Sequence, residues 1–317
     1  MKPTRMVALI LFSAAGLLAV AELFARYRLG LGTPPLYVAD TLTEYRLKPN
    51  QRLYRFDNLI EVNAYSMRSG PLPPSGPVAG RRVLVFGDSV VWGGAVLDQS
   101  LIATELLRQS GVAEVGNVAA PSWGPGNWLG WARRFGFLNA SDVVLVISSH
   151  DAADNPNLTP FTGDPNHPLK TPVSALSEGV ERYLLPRLGI RMRVPSAPDP
   201  VGAPSGEPTS PADPRVQRGL SDLRNFLKLA RASGARVMAV QFADRQEATS
   251  GTFQPGNHWI AQTFKQEGVP SVQAGPIFRG CGPIASLYTD DIHPYTAAGQ
   301  ACLAKAIQQV LRSAPSG

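Results

Sequence analysis

Gly87-Asp88-Ser89 closes the apolar run 82–86, and Asp290-Asp291-Ile292-His293-Pro294 stands just ahead of a helical stretch near the carboxyl end. A serine hydroxyl is a weak nucleophile until a base takes its proton, and an imidazole is the usual base. A carboxylate three residues ahead of that imidazole, on a tight turn, can hold one ring nitrogen while the other faces the serine. Gly87 lets the chain turn sharply, and the helix that follows offers backbone N–H groups to developing negative charge. Ser89 or His293 alone could equally be a helix cap. Together, Ser89 with Asp290 and His293 point to acyl transfer through a serine. Asp291 is the rival orienting carboxylate, ranked second because neighbours in an extended turn point different ways. Among the four histidines, His167 also has an aspartate three residues ahead, Asp164, but it lies in a proline-rich stretch with no helix after it.

The elements that would position these residues are legible from their periodicity. From Arg82 onward, the apolar runs RVLVFG, AEVGNVAA and DVVLVISS alternate with the amphipathic stretches LIATELLRQSG and NWLGWARRFGFL. That rhythm implies an α/β, doubly wound, mainly parallel sheet of about five strands with its ligand site at their carboxyl ends. After an interruption over about 152–214, it resumes with VQRGLSDLRNFLKLARASG, the strand ARVMAVQF, a helix over 258–267, the strand VPSVQ and a terminal helix over 296–311. Within the interruption, PSAPDPVGAPSGEPTSPADP excludes helix and central strand, so the segment reads as a lid or binding insertion. The expected organisation is a membrane anchor over 1–30, a stalk with a small β-element over 31–80, and the α/β domain over 81–317.

Between Met6 and Ala25 the only charge is Glu22, after a basic start at Lys2 and Arg5, which marks an export signal. Arg26 and Arg28 then favour a retained transmembrane helix, although Ala19-Val20-Ala21 also fits a cleavage site. The domain is expected on the exported side, periplasmic or extracellular. The formal charge of +6 comes from scattered basic residues with no aromatic-interleaved stripe, which argues against a nucleic-acid partner. Two cysteines, Cys281 and Cys302, exclude a disulfide scaffold and a multi-thiolate zinc site; pairing and separate burial both fit their spacing. No metal or organic cofactor is implied.

VLVFGDSVVWGG resembles the first block of the SGNH/GDSL hydrolases, and YTDDIHPYTAAGQACLAKAI their last Asp-x-x-His block with its trailing helix. The resemblance covers roughly 82–312 and implies a flavodoxin-like SGNH fold. In GNVAAPSWGPGN it assigns Asn117 to the second block and Gly124 or Ser122 to the oxyanion hole, beside the Ser89 amide. The family's Gly-x-Asn-Asp block departs here to SSHDAADN, so His150 takes the asparagine's place as donor, with Asp151 behind it. Asp88 is expected to support the turn. The implied activity is hydrolysis of a carboxylic ester, with an O-acetyl group on a carbohydrate as the expected substrate. Transfer of the acyl group to an exported polysaccharide, in contact with export machinery, is the alternative. A silent polysaccharide-binding module on the same fold is the rival from another class. A phosphatase built on Asp88 is disfavoured, because no phosphate-cradling loop accompanies it.

Overall fold

The computed structural model describes residues 3–73, 80–112, 114–164, 166–189 and 208–313. The most proline-rich part of the insertion, 190–207, lies outside the described residues. Nine strands are described: β1 (Tyr37–Asp40), β2 (Glu44–Leu47), β3 (Gln51–Arg55), β4 (Asn58–Val62), β5 (Arg82–Gly87), β6 (Glu114–Ala119), β7 (Asp142–Ile147), β8 (Arg236–Gln241) and β9 (Ser271–Gln273). The last five form one sheet in the order β6-β5-β7-β8-β9, parallel throughout. β5 and β7 are buried along their whole length, as the continuous apolar runs of a sheet covered on both faces require.

The strand order dictates where the helices go. The chain steps from β5 outward to β6, then back past β5 to β7, so right-handed crossovers place the two connecting helices on opposite faces. The helix Ala103–Gln109 therefore shares a face with the terminal helix Ala297–Ser313, and Pro125–Phe135 shares the other with Pro214–Ala232. The reversal occurs at β5, whose end carries Gly87, and the crevice at such a switch point is the favoured ligand site.

β1 pairs with β2 and β3 with β4 as two antiparallel ribbons. The turn between β3 and β4 puts Phe56 and Asp57 at φ of 52° and 61°, the left-handed pair that matches strand twist in a two-residue hairpin. Tyr37, Tyr45, Leu47, Ile60, Val62 and Met67 enter the same core as the sheet, so this segment is knitted into the main domain. Trp123, Trp128 and Trp131 are fully buried, with indole N–H groups donating to the carbonyls of Tyr45, Gly87 and Tyr65.

The helix Pro3–Tyr27 is 25 residues long, about 37 Å, and its most apolar window has mean hydropathy 2.3 with none of it buried. It is long and apolar enough to cross a membrane. Its far end is docked onto the insertion: the Glu22 carboxylate accepts the amides of Ala175 and Leu176 and the Ser174 hydroxyl, and pairs with Arg26 at 2.8 Å. Ala25, Leu31 and Ala175 form a small apolar cluster there, beside the buried pair Arg55–Glu178.

Candidate active site

The chain leaves β5 into a single helical turn, Ser89–Trp92, capped by an Asp88 carboxylate oxygen that accepts the Val90 N–H at 2.8 Å. Gly87 has no alternative here, since a Cβ would stand 2.3 Å from the Val91 side chain. Trp128 ties the Gly87 carbonyl down, and Asn117, fully buried within β6, donates to the Val91 carbonyl at 2.7 Å and to the Thr104 hydroxyl at 3.2 Å. Asn117 thus braces the turn from below.

Across from this turn, one Asp290 oxygen accepts the amides of Ile292 and His293 at 2.8 and 2.7 Å, and the other meets His293 Nδ1 at 2.7 Å. A carboxylate can only accept, so Nδ1 carries the proton and Nε2 is left with a lone pair. That Nε2 lies 3.0 Å from Ser89 Oγ. Burial pushes the Asp290 carboxyl up, but the His293 amide and ring and the Ile292 amide outweigh it, holding the group below its ordinary value. It stays ionised and keeps the tautomer. Asp291 makes no hydrogen bond to His293 among the described residues; its main-chain carbonyl accepts the Arg245 N–H.

Tyr295 is a site residue that the sequence reading passed over. Its ring stacks on His293 with centroids 4.6 Å apart, and its hydroxyl donates to the Ser89 carbonyl at 2.9 Å. Burial pushes that hydroxyl well up, so it remains a donor. Gly94 makes room for the ring: its φ is +66°, and a Cβ there would meet the tyrosine at 2.7 Å. The pattern Gly93-Gly94 was the signal available for such a close approach.

The expected oxyanion hole changes in two places. The Gly124 N–H donates to Asn127 Oδ1 at 2.9 Å in a helix cap, and a Cβ on Gly124 would stand 2.2 Å from the Asp154 carbonyl. Gly124 is packed into the fold and its amide is occupied. Ser122, at φ 56°, lines the Ser89 cleft instead, and its N–H has no acceptor within the described residues, as is true of the Ser89 N–H. The second change is His150. Its Nε2 sits 3.0 Å from Asp88 Oδ2 and 3.7 Å from Asp151 Oδ1, and it lines a different cleft, of about 380 Å³, with Asp154 and Trp259. Asp88 and Asp151 are both buried, and Asp88, not Asp151, is the ring's close partner. Burial pulls the His150 ring down, but Asp151, Asp88 and Asp154 outweigh that and push it up to about 10. The ring is therefore a cation at neutral pH. Burial likewise raises Asp151, and raises Asp154 to about 6. Ligand atoms of Asp88, His150 and Asp151 lie within 4.8 Å of one another, but a protonated ring has no lone pair to give a metal ion.

Ser89, Ser122, His293 and Tyr295 face a cleft of about 330 Å³ whose far wall comes from the insertion and the first ribbon: Tyr37, Asn166, His167 and Arg182. Cys281 and Cys302, left open above, form a disulfide that brackets the Asp290–His293 turn.

No family model matches the sequence, and no curated protein does. Solved structures similar to this chain include a member of the lipolytic protein G-D-S-L family from Veillonella parvula, at 10% identity and TM-score 0.42, covering 74% of this chain and 100% of that one. A GDSL-like lipase from Bacteroides thetaiotaomicron is similar at 13% identity and TM-score 0.41, over 74% of this chain and 89% of its own. A catalytic mutant of an acetylxylan esterase from Geobacillus stearothermophilus is similar at 14% identity and TM-score 0.43, over 74% and 96%. At such identities and scores these likenesses carry nothing about chemistry, which rests on the geometry of the site.

Proposed function

We propose that the chain is an SGNH/GDSL-type serine esterase, and the observation that carries this reading is the unbroken relay from Asp290 through His293 to Ser89 Oγ, at 2.7 and 3.0 Å. His293 Nε2 takes the hydroxyl proton as Oγ attacks the ester carbonyl carbon. The carbonyl π electrons move onto oxygen, and the Ser89 and Ser122 amides stabilise the oxyanion. Collapse expels the alcohol, which takes the proton back from His293 and leaves an acyl-serine. Water, giving its proton to His293, then attacks the acyl carbon; the bond to Ser89 Oγ breaks, Oγ takes the proton back from His293 and the acid leaves. A sugar hydroxyl in place of that water would make the same residues a transferase.

The substrate we favour is an O-acetyl ester of a carbohydrate, since a cleft of only about 330 Å³ with Asn166, His167 and Arg182 on its wall suits a short acyl group on a hydroxyl-rich alcohol better than a long aliphatic chain. We further propose that the helix Pro3–Tyr27 tethers the enzyme to a membrane with its domain on the exported side. The Cys281–Cys302 bond fits an oxidising compartment. The test is acetate release by the full chain in detergent from acetylated xylo-oligosaccharides and from 4-nitrophenyl acetate. Turnover should fall by about 10³-fold or more in Ser89→Ala. Equal rates in the two proteins would remove the esterase reading and leave a binding module.

A further inference from the structure

The cleft contains a second Asp-x-x-His turn built like the first. One Asp164 oxygen accepts the amides of Asn166 and His167 at 2.6 and 2.9 Å, and the other meets His167 Nδ1 at 2.9 Å. This reproduces the Asp290–His293 pattern bond for bond, and each histidine is followed by a proline, Pro168 or Pro294. The turn is fixed in place. The Pro168 carbonyl accepts the Tyr37 N–H at 2.9 Å, and the His167 ring packs against Tyr37 and Tyr45 with centroids 5.0 and 4.4 Å away. His167 lines the same cleft as Ser89 and His293.

The two turns differ in what the second ring nitrogen meets. His293 Nε2 has Ser89 Oγ, whereas His167 Nε2 is buried with no hydrogen-bond partner, in a residue only 8% exposed. A buried polar atom left unpaired is unfavourable and rare in folded proteins. Burial raises the Asp164 carboxyl, yet the His167 ring and the two amides outweigh this and keep it ionised. Its carboxylate therefore accepts a hydrogen bond from Nδ1–H, which leaves the Nε2 lone pair for an O–H donor.

We infer that His167, oriented by Asp164, is a substrate-recognition residue whose Nε2, covered in this structure, is uncovered by a small shift of the side chains around it and accepts a hydrogen bond from a hydroxyl on the alcohol part of the ester. Asn166 and Arg182 stand on the same wall and supply further polar contacts to a polyhydroxylated ring. The pair binds and orients without bonding to the acyl group, and the inference rests on the serine esterase reading above. It gives the insertion a purpose: selecting esters of hydroxyl-rich alcohols over simple ones.

The test uses the full chain, with His167→Phe to keep the ring packing while removing the nitrogen, and His167→Gln to restore an acceptor. The readouts are kcat and KM on a methyl xyloside monoacetate and on 4-nitrophenyl acetate, with Ser89 labelling by a fluorophosphonate followed in parallel. The ratio of kcat/KM for the sugar ester to that for the aryl ester should fall roughly tenfold or more in His167→Phe, chiefly through KM, and recover in part in His167→Gln. A ratio that does not change, or a parallel loss on both esters, would reduce His167 to a packing residue. Wild-type protein that labels at Ser89 but ignores the sugar ester would overturn hydroxyl recognition and leave the serine chemistry standing. Wild-type protein that neither labels nor turns over would overturn both.

Discussion

His293 and His150 reach neighbouring residues of one turn, Ser89 and Asp88, at the same 3.0 Å, but in opposite surroundings. His293 has a single carboxylate partner, Asp290, on an exposed turn, and that carboxylate claims Nδ1. Nε2 is then free to act as a base. His150 is crowded by Asp88, Asp151 and Asp154, which together push it up to about 10. A ring that holds its proton at neutral pH cannot take one from serine. What it can do is hold Asp88, whose other oxygen caps the Ser89 turn at the Val90 amide. The same side chain is thus a base or a clamp according to how many carboxylates surround it.

The largest expected effect breaks the first half of that comparison. Asp290→Asn keeps the shape of the turn but can turn its amide donor toward Nδ1, so the proton moves to Nε2 and the base is lost. Its kcat should fall by roughly 10³- to 10⁴-fold, read in ester hydrolysis, with the melting temperature nearly unchanged. An unaltered rate would make Asp290 a turn residue only. The Cys281–Cys302 disulfide encloses the Asp290–His293 turn and leaves His150 outside it. Its replacement by two alanines should lower stability by roughly 3 kcal/mol, from a loop of about twenty residues. Fluorophosphonate labelling of Ser89 should slow in step, and unchanged unfolding would argue that the bond does not form.

The clamp predicts a smaller and different response. His150→Gln should destabilise by about 2 kcal/mol, measured by chemical unfolding, because the Asp88 and Asp151 carboxylates lose their cation. The pH signature separates the two histidines. A group whose folded value is raised from 6.5 to about 10 contributes stability that is complete below pH 6.5 and lost as pH climbs through 10. Wild-type melting temperature should therefore decline between pH 7 and 10.5 more steeply than that of His150→Gln, and parallel curves would contradict the clamp. Smallest is Asp154→Asn. The Asp154 carboxyl is raised from 3.8 to about 6, so its ionisation opposes folding progressively above pH 3.8 and fully above 6. The variant should gain a degree or two over wild type at pH 8 and nothing at pH 4.

The sequence displayed the half of the site that depends on local geometry. Ser89 at a strand end and Asp290 three residues before His293 are short-range patterns, and the buried strands β5 and β7 are unbroken apolar runs. What escaped depends on tertiary neighbours. His150 reads as a donor until Asp88, from another strand end, is brought within 3.0 Å. Gly124 reads as a free amide until Asn127, one helical turn on, occupies it. Tyr295 hides behind a proline, and its partner Gly94 lies two hundred residues earlier. The helices Arg245–Ser250, Ala274–Arg279 and Ile284–Leu287 are one or two turns long, too short for a periodic signal. The sequence treated His167 as a bystander because no helix follows it, yet the fold turns it toward the same cleft as His293.

The central claim is that Ser89 is activated by His293 and by no other histidine. Intact-mass detection of fluorophosphonate labelling tests it most directly, on folded wild-type, Ser89→Ala, His293→Ala and His150→Gln proteins. Wild-type protein should take one adduct, His150→Gln a slower one, and the other two none over the same period. An adduct on Ser89→Ala, or labelling of His293→Ala at the wild-type rate, would contradict it.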